Sequence, residues 1–333
     1  MSASVETYGN RADWLRARKT GIGASEMAAV MGISPYASPY SVWAEKVTDE
    51  IDDRPPTGRQ YWGTRLEGLI ADEFAAQMDG VQVQDPGPYT IYRDAANHMF
   101  ATPDRLVEHA DGTISVLELK TAGLDRWHDW DACPPAQYLI QVQHQIAVTG
   151  AAGGYIAVLI GGNEFRIYPV PRDDAMIADI RAAAAEFWAS VERREPPEVD
   201  GSTATSEAIK RMYPESRPGP TIALPDEAIS ITEQIKEIQQ QEKSLKAELS
   251  KLKEDRDRLE NEIRILLGDH ESGAVGPYAW SWKTANYKGH IMIDETGDDV
   301  KGVLQAAGIT YKETEPSTRR TLRLKVMKDK EED

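Results

Sequence analysis

The residues with the clearest chemical use are Asp104, in Thr102-Pro103-Asp104, and the run Glu118-Leu119-Lys120. An Asp and a Glu supply hard oxygen ligands for a divalent cation such as Mg²⁺. A nearby ammonium orients the attacking water and offsets charge developing on phosphoryl oxygens, so the set has the composition of a metal-assisted phosphodiester-cleaving site. The spacing alone is loose, because such combinations arise often by chance. In the competing reading Asp104 starts a turn after Pro103, and Glu118 and Lys120 form a solvated pair on an edge strand.

Positioning these groups requires strands. Residues 113–119, Thr-Ile-Ser-Val-Leu-Glu-Leu, are rich in β-branched and apolar types and follow the turn signal Asp111-Gly112. On a strand Glu118 and Lys120 share one face and Leu119 packs behind them. The run Met99 to Glu108 reads as a second strand, folded back antiparallel at Asp111-Gly112 so that Asp104 approaches Glu118. Helices are expected over Ser25 to Met31 and over Tyr61 to Met78, the latter carrying Glu67 and an apolar stripe of Leu66, Leu69, Ile70 and Phe74. A helix over Pro135 to Val148, a hairpin of Tyr155 to Ile160 with Glu164 to Val170, and an Ala-rich helix from Asp173 to Arg194 complete one α/β domain over residues 1–200.

Residues 201–225 are rich in Ser, Thr, Pro and Gly and read as a linker. A long helix follows over 226–268, in which positions from Ala228 to Leu266 recur at alternating spacings of three and four, with Glu242 and Arg256 as charged members of the seam. That seam fits either a second chain or the chain's own domain. Residues 269–333 read as a small α+β unit with strands at Tyr278 to Lys283 and Thr321 to Val326, a short helix between Asp298 and Ala307, and a frayed end from Lys328.

A length of 333 residues provides for one substantial domain and an accessory region. The single cysteine, Cys133, excludes an internal disulfide framework and a cysteine-only zinc site. With no apolar run long enough to span a bilayer and no signal-peptide core, the expected setting is the cytoplasm of a bacterial or phage-infected cell. The net charge of −17 argues against non-specific adhesion to nucleic acid over the whole surface, but a basic cleft can coexist with an acidic exterior. Candidate cleft cations are Arg11, Arg16, Arg18, Lys19, Arg59 and Arg65, with a C-terminal group at Arg319, Arg320, Arg323 and Lys325.

Four further pieces surround the opening pattern: Trp14-Leu15-Arg16-Ala17-Arg18 with Gly21 to Met27; Gly32-Ile33-Ser34-Pro35-Tyr36 with Ser38-Pro39 and Trp43; Trp62-Gly63-Thr64-Arg65-Leu66-Glu67; and Tyr138 to Gln145. In this order, with Pro103-Asp104 and Glu118-Leu119-Lys120 before the last, the set resembles the YqaJ-type viral recombinases. These are relatives of phage lambda exonuclease in the PD-(D/E)XK nuclease superfamily. The resemblance covers residues 8 to 195 and implies a restriction-endonuclease-like core, a central mixed sheet flanked by helices. It implies Mg²⁺, or Mn²⁺, held by Asp104, Glu118 and the Leu119 carbonyl, with Lys120 positioning water and Glu67 completing an acidic wall. Gln141 matches the first glutamine of the family's Gln-x-Gln beside the metal, Gln143 being the alternative if the register slips. Arg18 and Ser25 match residues that hold phosphate, and Trp14 an aromatic of the same stretch. On the residues alone, Ser25 serves equally as a helix cap, and Gln141 with Gln145 as a solvent-facing i, i+4 pair.

The activity so implied is exonucleolytic degradation of linear double-stranded DNA, 5′ to 3′, giving 3′ overhangs for phage-type recombination. Implied partners are DNA ends, a single-strand annealing protein and other copies of the chain. An endonuclease or single-strand nuclease on the same core, and a non-catalytic end-binding or coiled-coil scaffold, are the alternatives.

Overall fold

The computed structural model describes residues 4–49, 51, 53, 55–56, 58–216, 218–287, 291–292, 312–313 and 317–326. The chain divides into two units, Met1–Pro218 and Gly219–Asp333. The first runs β1 (Ser4–Thr7), α1 (Arg11–Arg18), β2 (Ile22–Gly23), α2 (Ala24–Val30), α3 (Pro39–Val47), α4 (Gly58–Gln77), β3 (Val81–Gln84), β4 (Thr90–Asp94), β5 (Met99–Ala101), β6 (Arg105–His109), β7 (Ile114–Ala122), α5 (Ala136–Thr149), β8 (Gly153–Ile160), β9 (Glu164–Pro171), α6 (Asp174–Arg193) and α7 (Thr203–Met212).

One sheet has the order β3-β6-β7-β8-β9, antiparallel throughout except for the parallel pair β7 and β8. Parallel neighbours need a crossover, and α5 is that crossover. β7 is therefore an interior strand, and its alternation sends successive residues to two different cores. Leu117 and Leu119 join Ile70, Ala71 and Phe74 of α4 on one face. Val116 joins Val142 and Ile146 of α5 on the other, where Glu118 also points. The result is a mixed sheet flanked by helices on both faces, as expected from the sequence.

A second sheet has the order β1-β4-β5-β2, with β2 and β5 parallel. The continuous strand expected from Met99 to Glu108 is thus two strands in two sheets. Pro103 has no N–H to carry the ladder, so the chain leaves one sheet at Ala101 and enters the other at Arg105. Leu69, expected on the apolar stripe of its helix, is exposed, whereas Ile70 and Phe74 are buried.

The stretch expected as linker contains α7. Ser202 caps it by accepting the Thr205 N–H, Thr205 and Ser38 share a buried hydroxyl pair at 2.6 Å, and Ala208 is fully buried. The same Ser and Thr content that reads as linker here supplies a cap and a packing contact.

The second unit contains α8 (Glu227–Leu267), β10 (Ser272–Val275), β11 (Tyr278–Tyr287), β12 (Ile291–Met292), β13 (Lys312–Glu313) and β14 (Ser317–Val326), with β10, β11 and β14 in one antiparallel sheet. The helix expected between Asp298 and Ala307 and the end from Lys328 lie outside the described residues. Among the described residues no helix is long and apolar enough to cross a membrane.

Gly154 lets α5 lie close on the sheet. A Cβ there would stand 2.6 Å from Val142 Cγ1 and 2.9 Å from Val116 Cγ2. Gly154→Ala is expected to lower unfolding free energy by about 1–3 kcal/mol through overpacking, read as a reduced urea midpoint at unchanged slope.

Candidate active site

Glu118 is the centre of a polar cluster between β7 and α5, and only 2% of it is exposed. A carboxylate this deep needs partners to offset its lost hydration. Gln141 Nε2 donates to Oε1 at 2.6 Å, Gln145 Nε2 donates to Oε2 at 2.6 Å, and the Lys120 ammonium also donates to Oε1. Gln141 and Gln145 lie one helical turn apart, so both amides reach the same strand residue. They do not form a solvent-facing pair. Gln143, pointing elsewhere, donates to the Pro171 carbonyl at 2.7 Å and accepts the Asp173 N–H at 3.1 Å. The register therefore selects Gln141 over Gln143.

Asp104 comes to this cluster through the break at Pro103. Its Oδ2 accepts the Leu119 N–H at 2.8 Å. A strand residue turns its N–H and C=O to the same side, so the Leu119 carbonyl faces Asp104 as well. Neither carboxylate is part of a solvated edge pair, because β7 is interior, Glu118 is buried and Asp104 is partly enclosed.

Burial, then the Glu118 charge, holds the Asp104 carboxyl well above the usual range, against the pull of Lys120. Burial alone would lower the Lys120 pKa, but the negative charges of Glu118 and Asp104 hold it above the ordinary lysine value. Lys120 is therefore a fixed ammonium in the metal-free chain, with its Nζ 5.1 Å from the Tyr138 ring centre. It supplies positive charge and hydrogen-bond donors, and is not set up as a proton acceptor.

The donor set suits a hard cation. An ionised carboxylate offers about four lone-pair directions; Glu118 spends three on Lys120, Gln141 and Gln145, and Asp104 spends one on Leu119 among the described residues. The Gln145 Oε1, buried without a partner, is a further oxygen beside Glu118. Two carboxylates of raised mutual repulsion beside a backbone carbonyl match Mg²⁺, which is commonly held by one or two carboxylates together with substrate phosphate and water. Glu67 of α4 does not close a cage: among the described residues no three His, Cys, Asp or Glu side chains are grouped to hold a metal. It borders the site electrostatically, half-buried, with its pKa raised by burial and by Glu118 and lowered by Arg105 and Lys120. A groove of about 490 Å³ begins at the next residues of β7 and is lined by Thr121, Tyr138, Trp62, Tyr36, Arg59 and Arg126.

The other expected residues gather at α1 and α2. The Arg18 guanidinium lies 4.6 Å from the Trp14 ring centre and 5.2 Å from that of Phe100. Trp14 is thus occupied by a cation on one face. Gly23, not Ser25, is the N-cap of α2, with the Glu26 carboxylate accepting the Gly23 N–H at 2.7 Å. Ser25 is left exposed in the first turn. Below it the fully buried Lys46 ammonium pairs with Glu26 at 2.8 Å and donates to the Arg18 carbonyl at 3.0 Å. Burial alone would raise the Glu26 pKa, but Lys46 and Arg18 hold it below the usual range. Sequence reasoning missed the roles of Gln145, Glu26 and Lys46; only the i, i+4 spacing of Gln145 from Gln141 pointed to the first. The cations Arg11 and Arg16 are engaged by Asp53 and Asp13 at the surface.

Residues 13–152 match the YqaJ-like viral recombinase domain. The uncharacterized protein YqaJ of Bacillus subtilis is 32% identical over 278 residues, which span 82% of this chain and 83% of that protein. Among solved structures, an alkaline exonuclease from Laribacter hongkongensis is 22% identical with a TM-score of 0.44, covering 61% of this chain and 97% of that one. A phage-related exonuclease from Haemophilus somnus 129PT is 11% identical with a TM-score of 0.38, covering 52% and 96%.

The repulsion within the site has a consequence for stability. Because the folded-state pKa of Asp104 is raised, the protein loses stability as pH rises from about 4, the unfolded value, through the folded value. Asp104→Asn keeps an acceptor for the Leu119 N–H and removes that charge. Its metal-free form is expected to melt about 2–4 °C higher than the parent at pH 7, the effect of roughly 1 kcal/mol in a domain of this size, with the difference shrinking at pH 4 in scanning calorimetry.

Proposed function

The chain belongs to the YqaJ-like viral recombinase family, and from that premise we propose that it is a metal-dependent deoxyribonuclease that degrades linear double-stranded DNA from its ends. The observation that carries this reading is the buried Glu118 carboxylate, held by Lys120, Gln141 and Gln145 and interacting with the Asp104 carboxylate. Withdrawing two interacting carboxylates from water costs stability, and a purely structural role would be better met by apolar residues.

In this reading Asp104, Glu118 and the Leu119 carbonyl hold Mg²⁺ or Mn²⁺, with Glu67 bordering the site. The cation, when bound, supplies Lewis acidity to the phosphoryl group and makes water more readily deprotonated. Gln141 and Gln145 fix the Glu118 carboxylate in direction. Lys120 directs its ammonium at the attacking water and at charge developing on the phosphate. Arg18 and Ser25, beside Trp14, hold a terminal 5′-phosphate, which sets the step along one strand in the 5′ to 3′ direction and leaves a 3′ overhang. Contacts confined to phosphate carry no base information, so cleavage is independent of sequence. The 3′ strand serves a single-strand annealing partner in recombination, in the cytoplasm of a bacterial or phage-infected cell.

The test incubates the purified protein and Mg²⁺ with linear duplexes bearing or lacking a 5′-phosphate, and with a closed circle. Linear DNA is expected to be lost, faster with the phosphate, and the circle to persist. Lys120→Ala and Glu118→Gln are each expected to lower the rate by about 10²–10³-fold, the usual effect of removing a group that meets charge in the transition state. Cutting of the circle would assign an endonuclease to the same core, and no cleavage with Mg²⁺ or Mn²⁺ would refute the enzyme. A separate readout is thermal: Mg²⁺ is expected to raise the melting temperature of the parent protein but not of Asp104→Asn.

A further inference from the structure

The Lys46–Glu26 pair takes no part in the chemistry described so far. The Lys46 side chain has no surface in water. A buried ion pair adds little net stability over apolar residues of the same volume, so stability alone does not account for it. Its neighbours supply another use.

Three cations converge on the Phe100 ring: Arg18 at 5.2 Å, Lys46 at 5.6 Å and Arg93 at 5.9 Å from its centre. Gly23 admits the ring, since a Cβ there would stand 2.8 Å from Phe100 Cζ. Arg93 is engaged by Glu6 at 3.0 Å, by the Thr20 hydroxyl and by the Ala17 carbonyl. Lys46 is engaged by both oxygens of Glu26 and by the Arg18 carbonyl. Arg18 differs from both. Its guanidinium lies against Trp14 and Phe100 and, among the described residues, makes no hydrogen bond or ion pair.

Glu26 is the acid that would otherwise take Arg18. Burial works against its ionisation, but Lys46 and then Arg18 hold its carboxyl below the usual range, so the Arg18 charge already acts on it. A carboxylate and a guanidinium fork within reach of each other pair bidentately. Lys46 forestalls that pairing by covering both Glu26 oxygens, one of which also accepts the Gly23 N–H. Glu26 and Lys46 cancel, and the one positive charge left in the group is that of Arg18, with its donors open. Without Lys46 the group would be neutral, and Arg18 would be the cation nearest in effect to Glu26.

We propose that Lys46 is a positioning residue: by holding Glu26 it keeps the Arg18 fork open to a terminal phosphate, whose charge and geometry match that fork. The inference rests on the reading of Arg18 as the residue that holds the 5′-phosphate.

The test is fluorescence anisotropy of the full chain with short duplexes bearing a 5′-phosphate or a 5′-hydroxyl, in EDTA so that no metal-dependent cleavage intervenes. Melting is followed in parallel. The parent is expected to bind the phosphorylated duplex about 10–100-fold more tightly, the range of a hydrogen bond to a charged group, and Arg18→Gln to lose that preference. Lys46→Met is expected to lower the preference about tenfold, and Glu26→Gln, which keeps an acceptor for the Gly23 N–H, to leave it unchanged or raise it. Lys46→Met with Glu26→Gln is expected to restore it, because Arg18 is again the one charge of the group. A merely structural role predicts instead that both single variants lose the preference together with stability. If Lys46→Met does not fold, Glu26→Gln and the double variant decide the question.

A parent without the preference, or an Arg18→Gln variant that keeps it, would refute the phosphate reading and this inference with it. With both of those as expected, an undiminished preference in Lys46→Met, a loss in Glu26→Gln, or no restoration in the double variant would overturn the role of Lys46 alone.

Discussion

Placing a carboxylate on an interior strand costs several kcal/mol of hydration unless each oxygen is compensated. Glu118 is in that position, and much of the first unit can be read as its compensation. The parallel pairing of β7 with β8 requires a crossover, the crossover is α5, and one face of α5 carries the two glutamines that hold Glu118. The other face of β7 is closed by α4 through Leu117 and Leu119. Alternation along the strand thus separates an apolar face that anchors the sheet from a polar face that carries chemistry.

Asp104 is positioned by a failure of regular structure. Because Pro103 cannot extend a ladder, the chain changes sheets there, and the freed backbone lets the Asp104 carboxylate take the Leu119 N–H. Two carboxylates then face one region from different elements, and Lys120 is the only cation drawn directly onto Glu118 among the described residues. One ammonium offsets part of two negative charges withdrawn from water, which is why the Asp104 pKa is driven up. A divalent cation is the species whose charge and oxygen preference relieve that imbalance.

The alternation of Glu118 and Lys120 and the helices around them were legible in the sequence because strand and helix periods are local properties. The helix over Pro135 to Val148 that brings Gln141 to Glu118 was equally legible. Gln145 was not, since whether an i, i+4 glutamine faces water or a strand depends on what the helix packs upon. Ser25 looked like a cap because it precedes an apolar run, yet the backbone begins its helix one residue earlier and uses Glu26 in the capping box. The Lys46–Glu26 pair joins α3 to α2, a contact between elements that spacing within neither one could reveal. The segment around α7 was misread for a compositional reason: Ser and Thr serve linkers and helix caps alike.

The most direct test of the claim that Asp104 and Glu118 frame a cation is a crystal structure of the protein grown with Mn²⁺, with data collected at an energy where manganese scatters anomalously. An anomalous peak is expected, bounded by the Asp104 and Glu118 carboxylates and the Leu119 carbonyl, with Gln141 and Gln145 still donating to Glu118. No peak there, with Lys120 and the glutamines alone satisfying Glu118, would contradict it.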